Sequence, residues 1–431
     1  MQGYPWNGSP TLRETLTKVA GGTPAASVYA DARARIEECE PQLSAWAALD
    51  SRATSRAEEL DARPVSNVLP LRGVPVGVKD IIDVAGLPTR CGSSVTSPDP
   101  AELSAACVER LEQCGAVVVG KTVTTEFAYF KPGPTKNPWN TGHTPGGSSS
   151  GSAAAVASGM VALALGTQTA ASLIRPAAYC GIAGLVMGRG TADLTGITGL
   201  SPSLDSLGFM ARTVEDLRIA HAAFTGTAPV DAGTAPLLVW NGSDLADLDP
   251  AMRAALRRLP EWLDGWDVTD FAHDDHITTL AADHAVIMAY EAARERRRER
   301  ENHLADLSVP LAELLTGGTQ INEDDYWGAD YRCGRSRGDL AEVLQGKFII
   351  GPAAQGPAPA GLEATGSPIM SRPWQALGFP TVAVPGLVTD SGLPLGLQMI
   401  GAPGTEDALL AAAMRVEERL RGQPPVASAM P

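Results

Sequence analysis

Hydrophobic residues in the first part of the chain recur at helical spacing. Leu12, Leu16 and Val19 follow one another every three or four residues, and a second such run begins at Val28. This spacing places the apolar side chains on one face of an α-helix. We therefore predict a helical N-terminal layer over residues 1–65.

The period then changes from that of a helix to that of a strand. Residues 74–78 carry valine at every second position, and residues 116–120 form a short apolar run. The segment between them, 102–114, has helical spacing and ends before a glycine, which commonly terminates helices. A strand, a helix and a second strand in succession indicate an α/β fold in which helices connect the strands of a sheet.

Later parts of the chain divide by their patterns. Residues 228–345 are mostly helical in spacing and richly charged, whereas residues 346–431 return to short apolar runs and finish with a helix. We predict a variable helical insertion over the first segment and the remaining strands of the sheet over the second. Together with a core over 71–227, they are expected to form a single domain over residues 1–431.

Composition and charge restrict the partners. The chain has 431 residues, 44% of them hydrophobic, and a formal net charge of -15. It can therefore build a large core, but it offers no excess of positive charge for phosphates. The basic run over residues 294–301 intersperses arginine with glutamate, which favours a solvated helix face. We expect a small-molecule substrate and neither a nucleic-acid nor a membrane partner.

Targeting and redox features point to one compartment. The N-terminus lacks a basic segment followed by an apolar one, and no apolar run approaches the length that spans a bilayer. The six cysteines are scattered, without the spacing of a metal site or a disulfide framework. A cytoplasmic protein with reduced thiols is therefore expected.

The first candidate for chemistry is Lys79, which ends the alternating strand within residues 73–80. A surface lysine that follows a sheet edge would have no chemical role. A lysine drawn into the interior instead loses the hydration of its charged form, so its pKa falls and it can act as a neutral base. Beside buried serines, Lys79 would be a credible catalyst.

A second candidate is the segment 145–152, in which Gly-Gly is followed by three serines beginning with Ser148. Most Gly/Ser runs are linkers, but this run leads directly into a helix of small residues over 150–158 and a buried strand over 161–165. Its hydroxyls are therefore expected to be buried and to need hydrogen-bond partners.

The third candidate is the segment 166–176, in which Thr169, Ala170 and Ala171 immediately precede Ser172. Consecutive backbone N–H groups with little side-chain bulk form a nest that can hold a developing oxyanion. The same small residues would also suit a tight turn from strand to helix, and the two roles are compatible.

In this order and at this spacing, the three segments resemble the amidase signature family. Signals of that family cover about half of the chain, from near residue 71 to near 208 and again from near 373 to near 401. The resemblance implies a large central mixed β-sheet covered by helices on both faces. It also implies catalysis without a metal ion or a cofactor.

The resemblance assigns a role to each catalytic position. Lys79 would be the base, and Ser148 would relay the proton and follow a cis Gly147–Ser148 peptide bond. Ser172 would attack the substrate carbonyl to form an acyl-enzyme. The residues before Ser172 would supply the oxyanion hole.

The chain departs from the family pattern at several positions. Gln168 stands where the family often has an acidic residue, Ala170 and Ala171 replace glycines, and Val186-Met187 replaces a frequent Lys-Pro. The backbone donors survive these changes, whereas the pocket wall differs.

Three pocket residues keep alternative roles. Arg175, three positions after Ser172, could bind a substrate carboxylate or could tie the loop together through carbonyl hydrogen bonds, and we favour the second role. Tyr129 and Phe130 could line the substrate pocket or could belong to the core.

Other catalytic arrangements fit less well. Residues 147–151 also match Gly-x-Ser-x-Gly with Ser149 at the centre, but the upstream segment is not the buried strand that a nucleophile elbow requires. His143 as a base, or His273 with His276 as metal ligands, lack further partners at recognisable spacing. The sequence therefore favours Ser172 as the nucleophile.

The sequence predicts a stand-alone amidase that hydrolyses the C–N bond of a small-molecule amide to a carboxylate and ammonia or an amine. Residues 125–128 and 134–139 also resemble the A-type component of the tRNA-dependent amidotransferase. An ammonia-generating subunit with a small partner is therefore an alternative, as is a hydrolase of urea-like compounds of the biuret or allophanate type. A non-catalytic scaffold is disfavoured because all three catalytic positions are intact. A homodimer is one expected assembly.

Overall fold

A single mixed β-sheet of eleven strands lies at the centre of the computed structural model, which describes residues 5, 8–64, 69–228, 230 and 233–427. The strands are β1 (Trp46–Leu49), β2 (Pro75–Lys79), β3 (Val117–Thr122), β4 (Leu163–Gln168), β5 (Ala183–Val186), β6 (Ser206–Ala211), β7 (Leu237–Val239), β8 (Val268–Asp270), β9 (Phe348–Pro352), β10 (Thr381–Val388) and β11 (Pro394–Ile400). Their order across the sheet is β1, β3, β2, β4, β6, β5, β10, β11, β9, β7, β8.

Fourteen α-helices accompany these strands in the described part of the chain. They are α1 (Leu12–Ala20), α2 (Ala25–Leu43), α3 (Ala53–Ala62), α4 (Ala106–Gln113), α5 (Ser150–Ala157), α6 (Ile174–Cys180), α7 (Val214–Thr225), α8 (Pro250–Trp262), α9 (Asp274–Glu295), α10 (Arg297–His303), α11 (Val309–Gly318), α12 (Glu323–Val343), α13 (Arg372–Leu377) and α14 (Glu406–Leu420).

Alternate residues of the central strands pack into two separate hydrophobic clusters. In β3, Val118 belongs to one cluster with residues of α7 and α14, whereas Val117 and Val119 belong to the other with the alanines of α5. Because successive side chains of a strand point to opposite faces, the two clusters lie on the two sides of the sheet. The predicted mixed sheet with helices on both faces is confirmed.

The arrangement of β2 and β4 determines where the candidate residues meet. These strands pair in parallel, with Val76 opposite Leu163 and Val78 opposite Leu165. Their carboxyl ends therefore lie at the same edge of the sheet. Lys79 ends β2, and the segment that leads to Ser172 leaves β4 at this edge.

Helix α5 packs closely against the sheet because its first turn is glycine and serine. A Cβ atom on Gly151 would overlap with the Ala45 carbonyl oxygen and the Val123 nitrogen. Only glycine allows this approach. The serine-rich segment is thus an ordered part of the interior, as its apolar flanks predicted, and not a linker.

Three short strands lie where helical structure was expected. β1 falls within the predicted N-terminal helical layer and pairs with β3, while β7 and β8 fall within the predicted helical insertion and extend the sheet beyond β9. Strands of three or four residues are too short to display a period of two, so the helical spacing around them dominated the prediction. The single domain over the whole chain stays a prediction.

The charged run over residues 294–301 pairs internally, within α10 and at its junction with α9. Arg297 lies 2.7 Å from Glu301, and Arg296 lies 3.9 Å from Glu299. The predicted internal pairing is therefore confirmed, and the arginines of these pairs do not form a free basic patch.

Candidate active site

Lys79 and Ser148 are brought into direct contact in the interior. The Lys79 Nζ atom lies 2.6 Å from Ser148 Oγ and 2.8 Å from Thr167 Oγ1, and all three side chains are buried. Thr167 is near the end of β4. The parallel pairing of β2 and β4 therefore brings the Thr167 hydroxyl next to the Lys79 amine. Ser148 enters from the segment before α5.

The electrostatic environment of Lys79 favours its neutral form. Complete burial lowers the pKa of Lys79 to about 7, against a smaller opposing effect of the Asp205 carboxylate. Burial raises the pKa of Asp205 to about 6, although Thr169 Oγ1 donates to it at 2.5 Å. A substantial fraction of Lys79 is therefore unprotonated near neutral pH, as a general base requires.

Ser148 follows a cis peptide bond, as the resemblance implied. The Gly147–Ser148 bond is cis, and Arg175 Nη2 donates to the Gly147 carbonyl oxygen at 2.7 Å. A Cβ atom on Gly147 would lie 2.8 Å from a methyl carbon of Thr365, so glycine is also needed here. Arg175 thus ties the loop through a carbonyl, the role favoured from the sequence.

Ser172 lines the same cleft as Ser148. Its Oγ atom makes no hydrogen bond to any described residue, and its carbonyl oxygen accepts from the Ser149 N–H at 3.0 Å. That backbone bond connects the two serine-bearing segments. The structure does not show a hydrogen bond between the Ser148 and Ser172 hydroxyls in the described part of the chain.

The turn before Ser172 leaves consecutive backbone donors free. The N–H groups of Ala170, Ala171 and Ser172 donate to no described residue, and all three residues line the cavity, as does Thr169. Such a row of donors can bind an oxyanion.

His284 of α9 contacts this turn from behind. Its Nε2 atom lies 2.8 Å from the Thr169 carbonyl oxygen, and burial lowers the pKa of the imidazole to about 3. Because a carbonyl only accepts, Nε2 carries the proton of a neutral ring. In a trans peptide the N–H points opposite to the C=O, so His284 turns the Ala170 N–H away from itself.

Gln168 and Gln375 form a buried amide pair below the turn. Gln168 Oε1 accepts from the N–H groups of Leu173 and Ile174, both at 3.1 Å, and its Nε2 donates to Gln375 Oε1 at 3.0 Å. The amide therefore supplies both an acceptor for the start of α6 and a donor for Gln375. An acidic residue at position 168 would lack that donor.

The cleft around these groups is small and of mixed polarity. Including its open mouth, it spans about 380 Å³. Its walls are formed by Thr125, Ala128, Tyr129, Phe130, Ser148, Thr169, Ala170, Ala171, Ser172, Arg175, Leu200, Met288, Thr365, Pro368 and Arg372. Both residues whose role the sequence left open, Tyr129 and Phe130, are part of this wall.

The loop that carries Tyr129 has an unusual backbone. Phe127, Ala128 and Phe130 have φ angles of 45°, 61° and 32°, in the left-handed region that residues with a Cβ rarely adopt. Three strained positions next to a cleft are typical of a loop whose shape serves a site.

The alternative catalytic residues lie in other surroundings. Ser149 Oγ donates to the Thr167 carbonyl at 3.4 Å and does not line the cavity, while His143 pairs with the Ala358 carbonyl and His276 with Ser336. Among the described residues, no group of three or more His, Cys, Asp or Glu side chains could hold a metal ion.

Four residues at the site were not identified from the sequence, namely Thr167, Asp205, His284 and Arg372. They come from the end of a strand, a loop, a long helix and a short helix, and none belongs to a glycine-rich signal apart from Thr167. That threonine stood within a motif, where its hydroxyl gave no sign of facing a lysine.

The fold and its solved counterparts define a class of enzymes with a mixed β-sheet between helices that act on amide C–N bonds. The chain belongs to the Amidase family, whose model matches residues 28–300. This assignment agrees with the resemblance found in the three glycine-rich segments.

Several relatives resemble the chain over nearly its whole length. The A-type component of glutamyl-tRNA(Gln) amidotransferase from Oleidesulfovibrio alaskensis is 31% identical, with 97% of this chain and 98% of that protein covered. Its counterpart from Anaeromyxobacter sp. is 32% identical, with 95% and 96% covered.

Solved structures give the same picture. An amidase crystal structure shares 29% identity and a TM-score of 0.87 over 95% of this chain and 100% of that one. A vestigial protein complex described as revealing the origins of an s-triazine catabolic enzyme includes a chain with 27% identity and a TM-score of 0.87, over 97% and 100%.

We also searched the helices for a segment that could cross a membrane. Within the described ranges, none of the helices combines the length and hydrophobicity that crossing a bilayer requires.

Proposed function

We propose that the protein hydrolyses the C–N bond of a small-molecule amide through an acyl-enzyme on Ser172, with Lys79 as base and Ser148 as proton relay. The observation that carries this proposal is the 2.6 Å contact between Lys79 Nζ and Ser148 Oγ, made by a lysine whose pKa burial lowers to about 7. A lysine with a purely structural role would be expected to stay charged and to pair with a carboxylate, whereas Lys79 contacts hydroxyls and has a lowered pKa.

Acylation begins with two proton transfers. Neutral Lys79 Nζ accepts the Ser148 proton, and Ser148 Oγ accepts the proton of Ser172 as the Ser172 oxygen bonds to the substrate carbonyl carbon. The negative charge that develops on the carbonyl oxygen is stabilised by the free N–H groups of Ala170 and Ala171.

Collapse of the tetrahedral intermediate reverses the relay. The C–N bond breaks as the leaving nitrogen takes a proton from Ser148, which recovers one from protonated Lys79. Water then attacks the acyl carbon and passes a proton through Ser148 to Lys79. The bond between the acyl carbon and Ser172 Oγ breaks as Ser172 takes that proton back along the same chain, and the product acid leaves as its carboxylate. The sequence of steps returns each group to its starting state and requires no histidine.

A second candidate function is an ammonia-generating A-type component of an amidotransferase complex. It is supported by the relatives named above, which the chain matches over nearly their full length. The s-triazine-related neighbour supports a third candidate, hydrolysis of urea-like compounds. All three share the acyl-enzyme chemistry and differ in substrate and partner.

The test is ammonia release from neutral, aromatic, carboxylated and urea-like amides, with Ser172→Ala beside the wild type. Turnover by the isolated protein that is lost in the variant supports a stand-alone amidase and identifies its substrate class. Absence of release from every amide would contradict that function and favour the partner-dependent one. Light scattering during size-exclusion chromatography would determine whether the isolated chain forms a homodimer.

A further inference from the structure

Arg372 is a cation in the cleft that has no acidic partner among the described residues, although the Tyr129 side chain interacts with it electrostatically. It opens α13, lines the cleft and makes no hydrogen bond or ion pair with any of them, and its Nε atom is buried. A half-buried guanidinium without an acceptor is unfavourable, because the group loses water without replacing its hydrogen bonds.

The positive charge of the cleft is not balanced by its walls. Two arginines and no aspartate or glutamate are among the residues that line it. The charge of Arg372 helps to lower the pKa values of Arg175 and His284, although burial is the larger cause for both. An anion bound in the cleft would relieve this uncompensated charge.

Both arginines have buried N–H groups without a partner in the described structure, at Nε and Nη1 of Arg175 and at Nε of Arg372, but only Arg175 also holds the backbone. Arg175 Nη2 is already engaged with the Gly147 carbonyl and Thr365 Oγ1, so moving it would release the loop that carries Ser148. Arg372 has no such structural bond. Its guanidinium is free to offer two parallel N–H groups, the geometry that suits a carboxylate.

We propose that Arg372 binds a carboxylate carried by the amide substrate, so that the site is selective for half-amides of dicarboxylic acids. This inference rests on the amide hydrolysis proposed above and specifies its substrate class.

The absence of acidic side chains from the described cleft wall sharpens the class. Glutamine carries a carboxylate and an amide, but its ammonium group would meet two arginines and no carboxylate among the lining residues. Glutaramate has the same chain without the ammonium. It should therefore be the better substrate of the two.

The experiment compares kcat/KM for malonamate, succinamate and glutaramate with kcat/KM for the corresponding diamides, which replace the carboxylate by a neutral group of the same shape. A hydrogen-bonded charge pair is worth about 1.5 to 3 kcal/mol, so the best half-amide should exceed its diamide by about 10- to 100-fold. Arg372→Gln should remove this preference, because it should lower kcat/KM for the half-amide far more than for its diamide. Arg372→Lys should retain part of it, because the charge remains without the fork.

The control variant is Arg298→Gln, which removes an exposed arginine of α10 and should keep the wild-type preference. Equal wild-type rates on half-amides and diamides, or a preference that survives Arg372→Gln, would overturn the inference even though amide hydrolysis itself stands. Thermal unfolding of each variant shows whether it is folded, and the wild-type comparison does not depend on any variant.

Failure of the proposed function gives a different result. If the wild type hydrolyses no amide, calorimetric titration with glutaramate still tests Arg372. Binding to the wild type that is lost in Arg372→Gln supports the carboxylate site, and absence of binding of all three half-amides overturns it.

Discussion

Lys79 and Lys121 lie on neighbouring parallel strands and are both fully buried, but only Lys121 has a carboxylate partner within ion-pair distance among the described residues. Lys121 Nζ lies 2.9 Å from Asp80, whereas the near partners of Lys79 are the hydroxyls of Ser148 and Thr167. An ion pair offsets the cost of burying a charge, and hydroxyls do so only in part. The fold therefore separates a structural lysine from one that can lose its proton.

Replacing each lysine by methionine should give opposite results. Lys79→Met removes the base and should lower kcat/KM by about 10²- to 10⁴-fold, with a smaller loss of stability than Lys121→Met because it breaks hydrogen bonds to two hydroxyls but no ion pair. Lys121→Met leaves the buried Asp80 carboxylate without its ion-pair partner and should lower the free energy of unfolding by about 3 to 5 kcal/mol. Activity assays and chemical denaturation measure the two effects.

The two variants are controls for each other. Activity per folded molecule should survive in Lys121→Met, provided that the assay is made below its unfolding temperature. Near-normal turnover in Lys79→Met would rule out the assigned base, whatever its stability.

The pH profile should report the buried lysine. Because burial lowers the pKa of Lys79 to about 7, the base is protonated and inactive below that pH, and kcat/KM should rise as the pH increases through it. The Asp205 carboxylate favours protonated Lys79 and so raises this pKa. Asp205→Asn should therefore move the rising limb to lower pH.

The asparagine can be accommodated without loss of hydrogen bonds. Its carbonyl oxygen can accept from the N–H groups of Leu200 and Ser201, as Oδ2 does now, while Thr169 can turn its hydroxyl to accept from the new amide. Asp324→Asn, an exposed change on α12, is the matched control. A limb that stays in place or moves to higher pH would contradict the coupling between Asp205 and Lys79.

The sequence predicted those parts of the fold and site whose residues are close together along the chain. The strand that ends in Lys79, the cis bond before Ser148 and the small-residue turn before Ser172 each lie within one short segment. His284 and Arg372 could not be found in this way, since α9 and α13 are distant along the chain and meet only through helix packing in the folded protein. Neither carries a local pattern that distinguishes it from other polar residues of its helix.

The replacement of an acidic residue by Gln168 is also explained by a contact with a residue that is distant along the chain. Gln168 looks like the loss of an acidic residue when it is viewed alone. In the structure it is matched by Gln375, whose Nε2 atom contacts the Gln168 and Leu204 carbonyls and Ser206 Oγ. The partner is 207 positions away, so only the folded chain shows that the two amides compensate each other.

Two neighbouring serines, Ser172 and Ser149, can be compared as the nucleophile. A backbone hydrogen bond joins the Ser149 N–H to the Ser172 carbonyl oxygen. Ser172→Ala should reduce turnover by at least about 10³-fold, because it removes the hydroxyl that directly follows the turn donors in the cleft. Ser149→Ala removes one buried hydrogen bond to the Thr167 carbonyl and should cost about 1 kcal/mol of stability with activity largely kept. Burst-phase acylation with an activated ester or amide would trap the acyl-enzyme, and identification of the labelled serine by peptide mass spectrometry would locate the acyl group. Labelling of Ser149 would refute the assignment.

His284 should affect the reaction through the turn and not through proton transfer. His284→Phe leaves the Thr169 carbonyl without its donor and frees the Thr169–Ala170 peptide to rotate, so the Ala170 N–H is no longer held for the oxyanion. We expect kcat to fall by about 10- to 100-fold with KM nearly unchanged, because the loss is confined to the transition state. Since the pKa of His284 is lowered to about 3, the shape of the pH profile above about pH 5 should stay that of the wild type.

His284→Gln provides the test of this positioning role. The glutamine Nε2 atom can reach the place of the imidazole Nε2 and donate to the same carbonyl, so this variant should recover most of the lost kcat. A purely structural histidine would predict that both variants lose stability without a selective loss of kcat. A change in the pH profile of either variant would instead identify His284 as a proton carrier and contradict the role assigned here.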